Sequence, residues 1–62
     1  MKRRDLIKIL IEMGCSLVRH GAKHDWYMNG QTKRSQPVPR HNEINERLAK
    51  SIIKKLKDES FS

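Results

Sequence analysis

Three histidines, His20, His24 and His41, are the side chains of this sequence best suited to proton transfer. A free imidazole titrates at about pH 6.5, so it accepts or gives up a proton at neutral pH. Their separations of four and seventeen do not make a metal set. Ligands four apart share a helix face, but His20 and His24 flank a Gly21-Ala22 turn, and Asp25 beside His24 does not complete a coordination sphere. No metal and no other cofactor is therefore expected. His24 is the strongest candidate for catalysis. It opens a strand beside a glycine-containing turn, where a large substrate can reach it, and its expected cationic neighbours are Arg19, Lys23, Lys33 and Arg34. Such an imidazole can take a proton from a ribose 2′-hydroxyl, or hand one to a leaving oxygen, while the cations hold the phosphate. The residues alone also allow a strand-end histidine that bridges the turn by hydrogen bonds or packs beside Trp26.

Two aromatic side chains, Trp26 and Tyr27, can stack on nucleobases. A small sheet needs bulk beneath its helices, so Trp26 is expected in the core and Tyr27 on the open face, in contact with substrate. The lysines of the last helix either meet phosphates or form a solvated face. His41 reads as a turn residue ahead of that helix. Cys15 reads as a small strand residue, because nothing around it would lower the pKa of its thiol.

The chain that must position these groups has 62 residues, so it forms a single domain. A chain this short buries only roughly 60% of the surface exposed in its unfolded form, which leaves no room for a deep, walled cavity. Catalysis has to sit on an open face, with a substrate large enough to supply its own binding surface. A small-molecule cofactor or substrate is not expected. Fourteen Lys and Arg against seven Asp and Glu give a formal charge of +7, which favours a polyanion or an acidic protein as partner. A lone cysteine excludes an intrachain disulfide. The longest nearly apolar run, Leu6 to Met13, is interrupted by Lys8 and Glu12 and is too short to span a membrane. The N-terminus carries charges without a signal-type apolar stretch, so a reducing, cytoplasmic location is expected.

The helical period is clear at both ends of the chain. From Lys2 to Met13, Leu6, Ile9, Leu10 and Met13 share a stripe that Ile7 and Ile11 widen, and Gly14 suits the left-handed residue that closes a helix. Three basic side chains at the start oppose the helix dipole and no good cap precedes them, so this end is expected to fray. From Glu46 to Lys57, Leu48, Ala49, Ile52, Ile53 and Leu56 form a second stripe, with Asn45 as N-cap and Ile44 packing against Ala49. Between the helices the period changes. Cys15–His20 reads as a strand and His24–Asn29 as a second, with His24, Trp26 and Met28 on one side. Asn29-Gly30 favours a tight hairpin turn. A polar third strand is expected from Gln31 to about Gln36, ended by Pro37 and Pro39. The tail, Asp58 to Ser62, reads as loose. The result is an α+β fold of order α-β-β-β-α, with two helices covering one face of a three-stranded antiparallel sheet and the other face open.

These residues in this order resemble the HicA toxins of bacterial toxin–antitoxin pairs. The resemblance rests on Gly14-Cys15, Leu17-Val18-Arg19, Gly21 with His24 and Tyr27, Asn29-Gly30 and Val38-Pro39-Arg40-His41. It continues through Glu43-Ile44, Leu48-Ala49, Ile52 and Leu56, and so covers about residues 4 to 57. It implies a fold like the double-stranded-RNA-binding domain. It also implies a metal-independent mRNA endoribonuclease that arrests growth, and a HicB-type antitoxin that covers its active face. The family's catalytic histidine lies in a Gly-Ser-His stretch opening the second strand, and His24 is the matching position. Here the stretch is Gly21-Ala22-Lys23-His24, with no serine and one extra residue, so Lys23 is a substitute contact for RNA. The resemblance also includes Pro39-Arg40-His41, for which a structural role is the first expectation.

A non-catalytic RNA-binding module of the same fold is the alternative. Such a module usually places a basic cluster at the start of its last helix, whereas this helix starts with Glu43, Asn45 and Glu46. A third possibility is an interaction protein whose positive surface serves only to bind an acidic partner.

Overall fold

The computed structural model describes residues 1–57; the expectation for the tail from Asp58 onward lies outside the described residues. The first apolar stripe forms helix α1, Arg3–Glu12. Leu6 and Leu10, four apart on one face, are fully buried. Gly14 follows with φ +96, the left-handed conformation that turns the chain directly into a strand. Lys2, at the N-cap, supplies no side-chain cap. The helix start is nevertheless tied down from far along the chain. The Arg3 amide donates to the Asn42 carbonyl at 2.8 Å, and Lys2 bridges to Glu43. A backbone partner thus replaces the missing cap, in place of the expected fraying.

The sheet consists of β1 Cys15–His20, β2 His24–Asn29 and β3 Ser35–Pro39, antiparallel in the order β1-β2-β3. The third strand begins later than the sequence suggests and contains both prolines. Two residues apart, Pro37 and Pro39 turn their nitrogens to the same side of an edge strand, where no ladder hydrogen bond is lost. The β2–β3 connection is also longer than a two-residue Asn-Gly turn. Asn29 organises it: its backbone amide meets the Arg34 carbonyl, its Oδ1 accepts from the amides of Gln31 and Thr32, and its carbonyl accepts from Lys33. Lys33 adopts φ 63 in this loop.

Helix α2, Glu46–Lys57, is capped by Asn45, whose Oδ1 accepts from the amides of Arg47 and Leu48. Ala49, Ile52 and Leu56 are buried, with Ile44 just before the helix. Leu48, expected on the apolar stripe, is 42% exposed. Both helices pack on one face of the sheet, and Leu6, Leu10, Cys15, Tyr27, Val38, Ile44, Ala49, Ile52 and Leu56 form one core. The C-terminal end of α2 is pinned to the β2–β3 loop, because Asn29 Nδ2 and Thr32 Oγ1 both donate to the Leu56 carbonyl, at 3.0 and 3.2 Å. Among the described residues no helix is long and apolar enough to cross a membrane.

Candidate functional site

Alternation along β2 separates His24, Trp26 and Met28 from Asp25, Tyr27 and Asn29, but does not say which set faces the helices. Apolar content favours the Trp-Met set, and the structure chooses the other. Asp25, Tyr27 and Asn29 are buried, whereas His24 is exposed and Trp26 and Met28 are half-buried on the open face. Tyr27, at 7% exposure, is therefore a core residue and not the substrate contact expected of it. The cause is polar satisfaction. Buried carboxylate and amide groups are tolerated only with partners, and the helix side supplies them.

Asp25 shows how complete that satisfaction is. Its Oδ2 accepts from Arg3 Nη2 at 2.9 Å, and its Oδ1 from Arg40 Nε and Nη2 at 3.0 and 2.9 Å. His20 Nδ1 lies 2.9 Å from the same Oδ1. The hydrogen bonds from Arg40, and then His20, hold the Asp25 carboxyl down at about 2, well below the usual carboxylate range. Arg40 also donates to the carbonyls of Gly21 and Ala22, at 2.7 and 3.2 Å, and so clamps the β1–β2 loop that precedes His24. Arg3 Nε reaches the Pro39 carbonyl at 2.8 Å. The acid thus locks α1, β1, β2 and the end of β3 together at the end of the sheet where His24 lies.

A bulge in β1 decides what else reaches the open face. Leu17 pairs with Tyr27 and Arg19 with Trp26, so Val18 is the extra residue. One inserted residue reverses the parity of everything after it. Arg19 therefore moves to the open side, and its guanidinium lies over the Trp26 ring, 5.4 Å from the centroid. His20 turns to the other side, toward Asp25. Val18, Arg19, Trp26 and Ser35 line a shallow groove of about 250 Å³ on this open face. The Trp26 indole edge lies along Gly21, because a Cβ built there would be 3.4 Å from Trp26 Nε1.

The expected site residues are only partly brought together. His24 and Lys23 are exposed at the β1–β2 end of the sheet, and Arg19 lies on the neighbouring strand. Lys33 and Arg34 do not join them. They occupy the β2–β3 loop, at the far end of β2, five residues of antiparallel strand or roughly 17 Å from His24. The late start of β3 puts them in the turn, and residue 24 pairs with Pro39 instead. His41 is exposed in the connection to α2. Cys15 is buried in the core, and burial pushes its thiol pKa up. The reading of the residues missed Asp25 as an anchor and Arg3 and Arg40 as its partners. The available signal was an acid that closely follows two histidines, His20 and His24, within a strongly basic chain. Among the described residues, no three His, Cys, Asp or Glu side chains are grouped to hold a metal ion.

No curated protein and no solved structure matches the chain. Residues 3–57 match the family model described as HicA toxin of bacterial toxin-antitoxin. That span contains both helices, the whole sheet, the Asp25 clasp and the Arg19–Trp26 groove. The chain belongs to the HicA toxin family, and so has the role of a toxin that pairs with an antitoxin.

Proposed function

We propose that this protein is an endoribonuclease that cleaves mRNA in the cytoplasm, with His24 as general base, and that a HicB-like antitoxin restrains it by covering the open face of the sheet. The single observation that carries the reading is the placement of His24: exposed, at the rim of the helix-free sheet face, with Trp26 two residues along and Lys23 immediately before it. An RNA strand can reach such an imidazole without entering a cavity. The chemistry requires no more than the chain and the RNA. His24 accepts the proton of a ribose 2′-hydroxyl as that oxygen bonds to the adjacent phosphorus. The bond from phosphorus to the 5′-oxygen breaks, and that oxygen takes up a proton from water or Lys23. The products are a 2′,3′-cyclic phosphate and a 5′-hydroxyl. Lys23 and Arg19 stabilise charge on the phosphate oxygens as it develops.

Around His24 the chain holds its backbone with unusual care for so exposed a place. The Gly21 amide donates to the His24 carbonyl at 2.7 Å, and Arg40 fixes the two carbonyls on the other side of the loop. The imidazole therefore projects from a fixed base, as general catalysis requires. The test is incubation of the purified protein with unstructured RNA in EDTA, followed by end-group analysis. Wild type is expected to give cyclic-phosphate ends, and His24→Ala to cut roughly 10²- to 10⁴-fold more slowly with an unchanged circular dichroism spectrum. A folded His24→Ala protein that cuts at the wild-type rate would remove His24 from the mechanism. RNA left intact by the wild type would remove the nuclease reading.

A further inference from the structure

We propose that the groove beside Trp26 is a stacking site for a single unpaired nucleobase, so that the substrate is single-stranded RNA with a base turned out of its stack. This rests on the reading of the protein as an RNA-cleaving toxin. Three observations converge on the groove. Trp26 is the one tryptophan of the chain, yet it lies half-buried on the solvent side of the sheet while Tyr27 supplies the aromatic bulk of the core. The β1 bulge brings Arg19 across onto that ring. The groove beside them, about 250 Å³ and lined by Val18, Arg19, Trp26 and Ser35, is open to solvent. It falls below the roughly 300–1,000 Å³ of pockets that enclose a drug-sized ligand, which suits one flat ring system and not a whole cofactor.

An indole with a guanidinium on its face is a platform for any base, because every base has a π-face and stacks without regard to sequence. The Ser35 hydroxyl at the rim can donate to or accept from a base edge. The positive charge of Arg19 suits a polyanion and opposes a basic protein segment as occupant. A paired base in a duplex has both faces covered by its neighbours, so only an unstacked strand can enter. His24 lies two residues from Trp26 on the same strand face, roughly 6.8 Å along β2. A base held at Trp26 therefore places the adjoining phosphate next to the imidazole. Stacking thereby selects which phosphodiester is presented, and Trp26 acts as a substrate-binding residue.

The lone tryptophan reports on its own site. Full-length protein is titrated, with intrinsic fluorescence as readout, against a 2′-O-methyl hexa-adenylate, which cannot be cut because its 2′-oxygen carries no proton. A 2′-O-methyl hexamer of abasic sugars, with the same phosphates, is the control. Quenching by the first and not by the second is expected. Trp26→Leu and Trp26→Phe lack the fluorophore, so their affinities and that of wild type are compared by the anisotropy of a fluorescein-labelled 2′-O-methyl hexa-adenylate, with Trp26→Leu binding roughly 5- to 150-fold more weakly and Trp26→Phe retaining most of the affinity. Equal quenching by the abasic chain, or full affinity in a folded Trp26→Leu protein, would overturn the assignment. So would quenching by an acidic peptide together with none by the hexa-adenylate, which would make the groove a protein-docking site. A protein that cuts RNA but shows no base-dependent quenching loses the stacking site and keeps the nuclease activity. One that shows the quenching and never cuts RNA keeps the site and loses the nuclease activity.

Discussion

Replacing Gly21 with alanine should damage stability and cleavage together, and the size of each effect follows from two short approaches. A Cβ at position 21 would lie 2.9 Å from the His24 carbonyl oxygen and 3.4 Å from Trp26 Nε1. The first contact is with backbone, which cannot swing aside as a long side chain would. That same carbonyl already accepts from the Gly21 amide at 2.7 Å, so the hairpin must open for the methyl group to fit. Overpacking of this kind costs about 1–3 kcal/mol. The entropy removed from the unfolded chain by Gly→Ala returns only about 0.4–1 kcal/mol, so destabilisation wins. Domains of this size have total stabilities of roughly 0.05–0.15 kcal/mol per residue, or about 3–9 kcal/mol here. A net loss of about 1–2 kcal/mol lowers Tm by roughly 5–15 °C. Because the displaced atoms belong to His24 and Trp26, the proposed RNA cleavage, measured well below the new Tm, should fall by up to about 10²-fold, the cost that misplacement on the order of an ångström can carry at a reacting group. Gly30→Ala is the matched control. Its nearest contact is the Gly14 carbonyl at 3.7 Å, ordinary packing, so its Tm should stay unchanged or rise slightly. The two variants are compared by thermal denaturation followed by circular dichroism and by the rate of cleavage of a labelled RNA. A Gly21→Ala protein that melts and cuts like wild type would refute the close packing of the hairpin against His24.

Two further predictions concern the polar groups that fix the sheet's orientation. The Asp25 carboxyl is held at about 2 in the folded chain, below the ordinary 3.8, so it stabilises the fold above about pH 4 and loses that contribution as pH falls toward 2. The Tm difference between wild type and Asp25→Asn should be constant near neutrality and shrink across that interval; a difference that persists undiminished at pH 2 would disprove the clasp. Asn29→Ala removes the donor to the Leu56 carbonyl and the acceptor for the Gln31 amide, two good hydrogen bonds at a buried position. It should cost about 2 kcal/mol, and a urea midpoint within error of wild type would show that α2 is not held there.

The elements themselves were legible in the residues. Two stripes at helical spacing flank a stretch that lacks it, and the bounds of β1, β2 and α2 were readable from Cys15, Asn29 and the Asn45 cap. These are local signals, since periodicity and capping are properties of neighbouring residues. The site was legible in part. His24, the base of the proposed mechanism, lies exposed at the opening of β2, where its place in the sequence puts it. Its cationic surroundings were misjudged, because whether Lys33 and Arg34 lie near it depends on where β3 begins. That start is set by Asn29, which holds the loop to the far end of α2 through the Leu56 carbonyl.

The amino-acid order alone determined two amphipathic helices around a short antiparallel sheet, a surplus of positive charge and an imidazole beside a turn. Each follows from residue type and spacing over a few positions. Tertiary structure decided which side of β2 faces inward. Period-two alternation is symmetric, and only the partners waiting on the helix side, Arg3, Arg40, His20 and the Leu56 carbonyl, make it favourable to bury Asp25 and Asn29 and leave Trp26 outside. The bulge at Val18 is a choice of the same kind: strand pairing across the sheet, not any local preference, sets Arg19 over the indole and His20 against the acid.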